Sequence, residues 1–173
     1  MAKALPIGED VCCLVDYNER GELFWEPRGI PSFDAKYAGA RVALTLTEKG
    51  YHRVLVLRRP LMVHRLLWRL HYGSDARFVD HINGIRTDNR IVNLRDSSHA
   101  ENQRNMMPRG GASRFKGVYV SRGGRWGSRI KRNKKTVHLG THDTEVQAAM
   151  AYDRAAVQMH GEFARTNQQL GLY

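Results

Sequence analysis

The chain has 173 residues, 42% of them hydrophobic, and a formal net charge of +11 at neutral pH. That apolar share excludes a disordered polyelectrolyte, and the length suits one ordinary domain or two small ones, each with a core. No apolar run approaches the roughly 18 residues that a membrane span requires, and the start, MAKALPIGED, lacks the apolar core of a secretory signal, so the expectation is a soluble, intracellular protein with no membrane partner.

In chain order, residues 11–63 read as short strands. They are VCCLVDY, ELFWEP after the turn Glu19-Arg20-Gly21, RVALTL, and YHRVLVL after Lys49-Gly50. Cys12 and Cys13 are the only cysteines, and because they are adjacent they form neither a zinc-ligand spacing nor a disulfide framework; they read as small buried hydrophobes on a strand. Residues 61–72, LMVHRLLWRLHY, place Leu61, His64, Arg65, Trp68 and Tyr72 at helical spacing, with Gly73 as the stop. A turn-rich loop around Asn83-Gly84 follows Asp80, and a short helix is expected from Ser97 or Ser98, carrying Asn102.

MPRGGAS, residues 107–113, has the composition of a connector and predicts a domain boundary. Beyond it FKGVYVS, RWGSRIKR and TVHLG form three antiparallel strands, joined at Arg122-Gly123-Gly124 and at Asn133-Lys134-Lys135. Alternation puts Trp126, Ser128 and Ile130 on one face of the middle strand and Arg125, Gly127, Arg129 and Lys131 on the other. Asp143 or Thr144 then caps a helix, Thr144 and Gln147 having capping-box spacing. Ala148, Ala149, Tyr152, Ala155, Ala156 and Met159 make one apolar stripe that ends before Gly161, and this helix should lie across the sheet.

The charge is concentrated. From Asn102 to His142 there are eleven Lys or Arg and no Asp or Glu; the 17 basic residues elsewhere equal the 17 acidic ones of the whole chain. A surplus of this kind, interleaved with strand-type apolar residues, points to a polyanionic partner bound through phosphate contacts. The expected contacts are Lys116, Tyr119, Arg122, Arg125, Arg129, Lys131, Arg132, Lys134 and Lys135, with Arg65 as a further phosphate contact in the first part.

The chemistry-bearing stretch is RFVDHINGIRTDNRIVNLRDSSHAENQRN, residues 77–105. Phe78-Val79 leads into Asp80-His81; Asn93 follows His81 by twelve residues, and Asn102 follows Asn93 by nine. A carboxylate and a carboxamide are oxygen donors suited to a hard divalent cation, and a neighbouring imidazole can take a proton from water near neutral pH. Such a set is equipped to hydrolyse a phosphodiester. His64 reads either as a hydrogen-bonded core residue or as support beside this site, and the remaining histidines form no ligand constellation.

Two resemblances follow from these residues. VHRLLW, VDHINGIRTDNRIVNLR and ENQRN, within residues 10–106, resemble in order the segments of HNH endonucleases of the phage or homing type. The resemblance implies a ββα-metal fold, two strands and a helix gripping one divalent cation, with Asp80 and Asn102 as ligands, His81 as general base and Asn93 orienting the His81 loop. Lys116-Gly117-Val118, Arg125-Trp126, His138-Leu139-Gly140-Thr141, Ala148-Ala149, Tyr152-Asp153, Ala155-Ala156, His160-Gly161 and Ala164-Arg165-Thr166-Asn167 resemble the ethylene-response-factor type of DNA-binding domain, the Apetala-two family, over about residues 113–167. That family also occurs fused to phage HNH nucleases and lays its three-stranded sheet in the DNA major groove. Tyr119, Arg129 and His138 depart from the Arg, Glu and Trp common on the reading face of plant members, so plant site preference does not transfer.

The expectation is therefore an α+β chain in two parts. A nuclease domain spans residues 1–106, its ββα-metal core at about 61–106 and a β-rich lead-in before it. A linker covers 107–113, a DNA-binding domain with a three-stranded antiparallel sheet packed on one helix covers 114–167, and a tail covers 168–173. The expected activity is metal-dependent cleavage of double-stranded DNA, nicking or double-strand, by a monomer or homodimer using Mg2+ or Mn2+ and no small-molecule cofactor. A phage-encoded protein working in the cytoplasm of an infected bacterial host fits the resemblance. A non-cleaving DNA-binding regulator with a degenerate nuclease domain and an RNA-binding protein are the competing readings, the latter disfavoured by the few exposed aromatics expected on the sheet.

Overall fold

The computed structural model describes residues 8–99, 101–102, 111–132 and 135–173, and the chain divides into two compact units, Met1–His99 and Ala100–Tyr173. Both mix helix with small antiparallel sheets. Among the described residues no helix is long and apolar enough to cross a membrane.

The first unit opens with a helical turn, α1 (Glu9–Cys12), before β1 (Val15–Tyr17) and β2 (Leu23–Trp25), which pair antiparallel. VCCLVDY is thus not one strand. The Val11 and Cys12 amides bond back to the Gly8 carbonyl at 3.1 and 3.4 Å, a helical turn that seats Val11 in the same core as Val15 of β1 and leaves Cys12 half-buried and Cys13 exposed rather than buried on a strand. A second unexpected helix, α2 (Pro31–Tyr37), begins with a proline whose fixed φ suits a first turn; it buries no residue, and so carries no apolar stripe to read.

The strands β3 (Thr45–Leu46), β4 (His52–Val56) and β5 (Arg59–Met62) form a sheet in that order. Only the last two residues of RVALTL join it, although Arg41 makes an isolated bridge to Phe24. Leu61 and Met62 are strand residues, paired with Val54 and Arg53, and α3 runs Val63–Tyr72. Its buried residues are Val63, His64, Leu66 and Leu67; of the residues expected at helical spacing, His64 is buried and Trp68 packs against the core, while Tyr72 is 51% exposed. Gly73 ends α3 in the left-handed region at φ 70°, its N–H on the Arg69 carbonyl. The unit closes with the hairpin β6 (Val79–His81) and β7 (Leu94–Asp96), whose Val79 and Leu94 join the core.

In the second unit β8 (Val118–Val120), β9 (Trp126–Arg132) and β10 (Lys135–His142) form an antiparallel sheet with β9 central, matching the three expected strands. The helix α4 (Glu145–His160) starts at Thr144 with both bonds of the capping box and buries Ala148, Ala149, Tyr152, Ala155 and Ala156, with Met159 packed beside them. Gly117 is the tight point between helix and sheet. Its φ is +77°, and a Cβ there would run into the Tyr152 ring and lie 2.7 Å from the Arg129 carbonyl oxygen. The chain end packs back: Asp153 accepts from the Asn167 and Gln168 amides at 2.8 and 3.0 Å and from the Tyr173 hydroxyl at 2.7 Å.

Candidate functional site

Asp80 and His81 are consecutive on β6, and both are buried. The loop that joins β6 to β7 is built on carboxamides. Gly84, at φ 72°, returns its N–H to the His81 carbonyl at 2.9 Å, so Asn83-Gly84 is the expected turn. Asn93 Oδ1 accepts from the Asn83 amide at 3.0 Å, and its Nδ2 donates to Asn83 Oδ1 at 3.0 Å and to the Asp88 carbonyl at 2.7 Å. Its carbonyl takes the Ile82 N–H at 2.8 Å. One buried amide therefore ties both ends of the segment that follows His81. Asp88 accepts two hydrogen bonds from Arg90, at 2.8 and 2.7 Å, and one from Asn83 Nδ2 at 2.7 Å, which hold its carboxyl down to about 2.

Asp80 stands opposite Arg95 in the ladder, and Arg95 Nε and Nη2 reach its Oδ2 at 3.1 and 2.9 Å. His81 Nε2 lies 3.2 Å from Asn89 Oδ1, and its ring faces those of His64 and Tyr51 at centroid distances of 5.1 and 6.0 Å. Burial lowers the His81 pKa, against the opposing pull of Asn89 and the carboxylates of Asp80 and Asp88. The neutral, proton-accepting ring is thereby favoured. His64 is a buried neighbour of that ring, with Nδ1 lacking a hydrogen-bond partner among the described residues. Burial first, then His81 and Arg65, push its pKa down to about 3.

Arg65 is half-buried, and its guanidinium donates to the carbonyls of Ala76 and Arg77 at 3.1 and 3.4 Å, so part of it braces the approach to β6. Asn102 is helical and half-buried, as is Glu101, and is counted with the second unit. Among the described residues no group of three or more His, Cys, Asp and Glu side chains could hold a metal ion. The donors named from the sequence, one carboxylate and one carboxamide, are instead the few hard oxygen ligands that suit a magnesium-like ion keeping several of its waters. Their chemistry fits the cation, while Arg95 competes for one oxygen of the carboxylate.

In the second unit Arg129 and Lys131 lie on the outer face of the sheet, and Arg132 and Lys135, at the alternate positions, are exposed as well. Tyr119 stands opposite Gly127, where a Cβ would strike its ring. The absent side chain lets the ring lie flat, with its hydroxyl 3.2 Å from His138 Nδ1 and the Arg129 guanidinium 5.0 Å from its centroid. Arg122 is exposed in the β8–β9 turn, and Arg125 pairs with Asp143 at 2.8 Å. Lys116 is half-buried and lines a cleft of about 480 Å³ with Gly117, Arg129 and Tyr152; burial and Arg165 lower its pKa to about 8. Lys134 lies outside the described residues.

Arg95 and Asn89 are not singled out by the sequence pattern, which offers Asn83 only as a turn residue and His138 only as a departure from the family's reading face. The hairpin register would have found Arg95, since a strand LRD pairing with VDH sets it against Asp80. Asn89 carried no such signal among the polar residues of its loop.

Comparison with known proteins covers both units. Residues 61–104, a span that includes Asn102, match the HNH endonuclease family model, and residues 113–162 match the AP2 domain model. One segment of the chain is thus similar to HNH endonucleases and a second to AP2 domains. It is 46% identical to APETALA2-like protein 2 of Oryza sativa subsp. indica over 65 residues, 36% of this chain and 15% of that protein. It is 31% identical to the AP2/ERF and B3 domain-containing transcription repressor TEM1 of Arabidopsis thaliana over 111 residues, 64% of this chain and 26% of that protein. The chain spans at most a third of the length of these curated relatives. A solved structure, described as DNA binding and cleavage by the HNH homing endonuclease I-HmuI, is similar at a TM-score of 0.40 and 24% identity, over 53% of this chain and 50% of that one.

Proposed function

We propose that the chain is a metal-dependent DNA endonuclease of the homing HNH type, its ββα-metal core formed around β6 and β7 and its second unit supplying duplex affinity. The observation that carries the reading is the pairing of a buried carboxylate with a buried, neutral imidazole on consecutive residues of one strand. In the reaction, His81 takes a proton from a water whose oxygen bonds to the scissile phosphorus, and the P–O3′ bond breaks, the departing 3′ oxygen taking a proton from solvent, to leave a 5′-phosphate and a 3′-hydroxyl. Asp80 and Asn102 would hold a divalent cation, magnesium or manganese, which would supply positive charge to stabilise the reacting phosphate. Asn93 keeps the loop after His81 in one conformation. The exposed Arg129, Lys131, Arg132 and Lys135 grip phosphates, an interaction that weakens with salt.

A second reading, a DNA-binding regulator that does not cut, draws on the Asp80–Arg95 pair, because a guanidinium neutralises the carboxylate a cation would use. Incubation of pure protein with supercoiled plasmid, with and without Mg2+ or Mn2+, separates the two. Metal-dependent open circles are expected; intact plasmid across several metals and ionic strengths leaves the regulator.

A further inference from the structure

Asn89 is 3% exposed and lies between two imidazoles. Its Oδ1 is 3.2 Å from His81 Nε2, and its Nδ2 is 3.1 Å from His52 Nδ1. Nδ2 also donates to the Thr87 carbonyl at 3.4 Å. A carbonyl oxygen accepts and never donates, so Thr87 selects the amide nitrogen for the His52 side and leaves the amide oxygen facing His81. The main chain is fixed from behind. Gly21, at φ +72° in the β1–β2 turn, packs so closely that a Cβ there would lie 2.6 Å from the Asn89 carbonyl carbon and oxygen.

We propose that Asn89 is a positioning residue that sets the tautomer of His81, with His52 and Thr87 fixing the orientation of the amide. This rests on the nuclease reading of His81. An oxygen facing Nε2 requires a hydrogen on Nε2, so in the neutral ring the lone pair sits on Nδ1. Nδ1 is then the atom that receives the water proton. The imidazolium formed keeps its Nε2–H on Asn89 Oδ1, a bond strengthened by the charge and needing no rearrangement as the proton arrives. If the amide turned over, Nδ2 would face Nε2, the hydrogen would move to Nδ1, and the base would present no lone pair there.

The test uses the full-length chain labelled with 15N at histidine, observed by long-range 1H–15N spectra above the histidine titration range, beside plasmid nicking. Wild type is expected to show His81 as the Nε2–H tautomer. Asn89→Leu and His52→Leu are expected to move it toward the Nδ1–H form and to lower kcat by about 10²-fold, the scale of a general base's contribution, with KM for DNA within about threefold. Asn89→Asp keeps an oxygen on Nε2 and should keep the Nε2–H signature, which separates tautomer control from loss of fold. An Nδ1–H tautomer in wild type, or an unchanged tautomer in folded Asn89→Leu, overturns the proposal. If the tautomer behaves as expected and no variant, wild type included, nicks DNA with metal, the nuclease reading falls and the tautomer assignment stands.

Discussion

Asp80 and Arg95 face each other across the β6–β7 ladder and close an ion pair of 2.9 Å between side chains 6% and 14% exposed. Removing one partner of such a pair leaves a buried charge uncompensated, at a cost of about 3–5 kcal/mol. Arg95→Met should therefore lower the melting temperature in a chelator. If Asp80 also binds a cation, added Mg2+ should restore part of that loss in Arg95→Met and do less for wild type. Equal effects of Mg2+ on both proteins would separate Asp80 from metal binding.

His64 predicts a pH dependence of stability. Its pKa is pushed down to about 3 by burial, with His81 and Arg65 adding to it and Tyr51 packed on the ring. In the unfolded chain it titrates near 6.5. Above that value neither state holds the proton; below it the unfolded state does and the native state does not, so stability falls as pH falls, by about 1.4 kcal/mol per unit until the native pKa is reached. His81, lowered in the same sense, adds to the slope. Urea midpoints of His64→Leu should vary less between about pH 6 and pH 4 than those of wild type, within the range the unfolded histidine titrates. A wild-type slope retained in full would contradict this.

Gly127→Ala tests the proposed DNA contact of the Tyr119 face. The new methyl meets the Tyr119 ring, the end of a side chain that can swing away, so the melting temperature should change little. The Tyr119, Arg129 and His138 cluster would be lost, and duplex affinity should fall by about tenfold, the scale of one good contact. Lys131→Ala should instead lower affinity for all sequences and reduce the slope of log K against log salt by about one. An unchanged affinity in Gly127→Ala would remove Tyr119 from the interface.

Gly117→Ala has the opposite balance. A side chain there combines a positive φ with intrusion on Tyr152 and the Arg129 backbone, neither of which can yield without parting helix from sheet. A loss of several kcal/mol is expected, in the range of core overpacking and strain, measured by denaturant melts. Stability near wild type would show that the sheet and α4 are held by other contacts.

The second unit was legible because its signals were local. A capping box, an alanine stripe and period-two alternation in β9 each mark an element without reference to distant residues. The lead-in was less so. Val11 and Cys12 carry strand propensity yet turn helically onto Gly8, and α2 buries nothing that would mark its face. At the site, spacing singled out Asp80, His81 and Asn93. Arg95 and Asn89 depend on the hairpin register and on which way an amide faces, neither of which a linear pattern encodes. The turn at Gly21, read only as a connection, presses on Asn89 from 68 positions away in the chain.

The most direct measurement pairs binding with cleavage for wild type and His81→Ala, using the same plasmid and the same Mg2+. The account predicts equal DNA affinity, set by the second unit, with open-circle product from wild type and a loss of about 10²-fold or more in rate from the variant. Cleavage by His81→Ala at the wild-type rate, or by neither protein with any divalent metal, would contradict it.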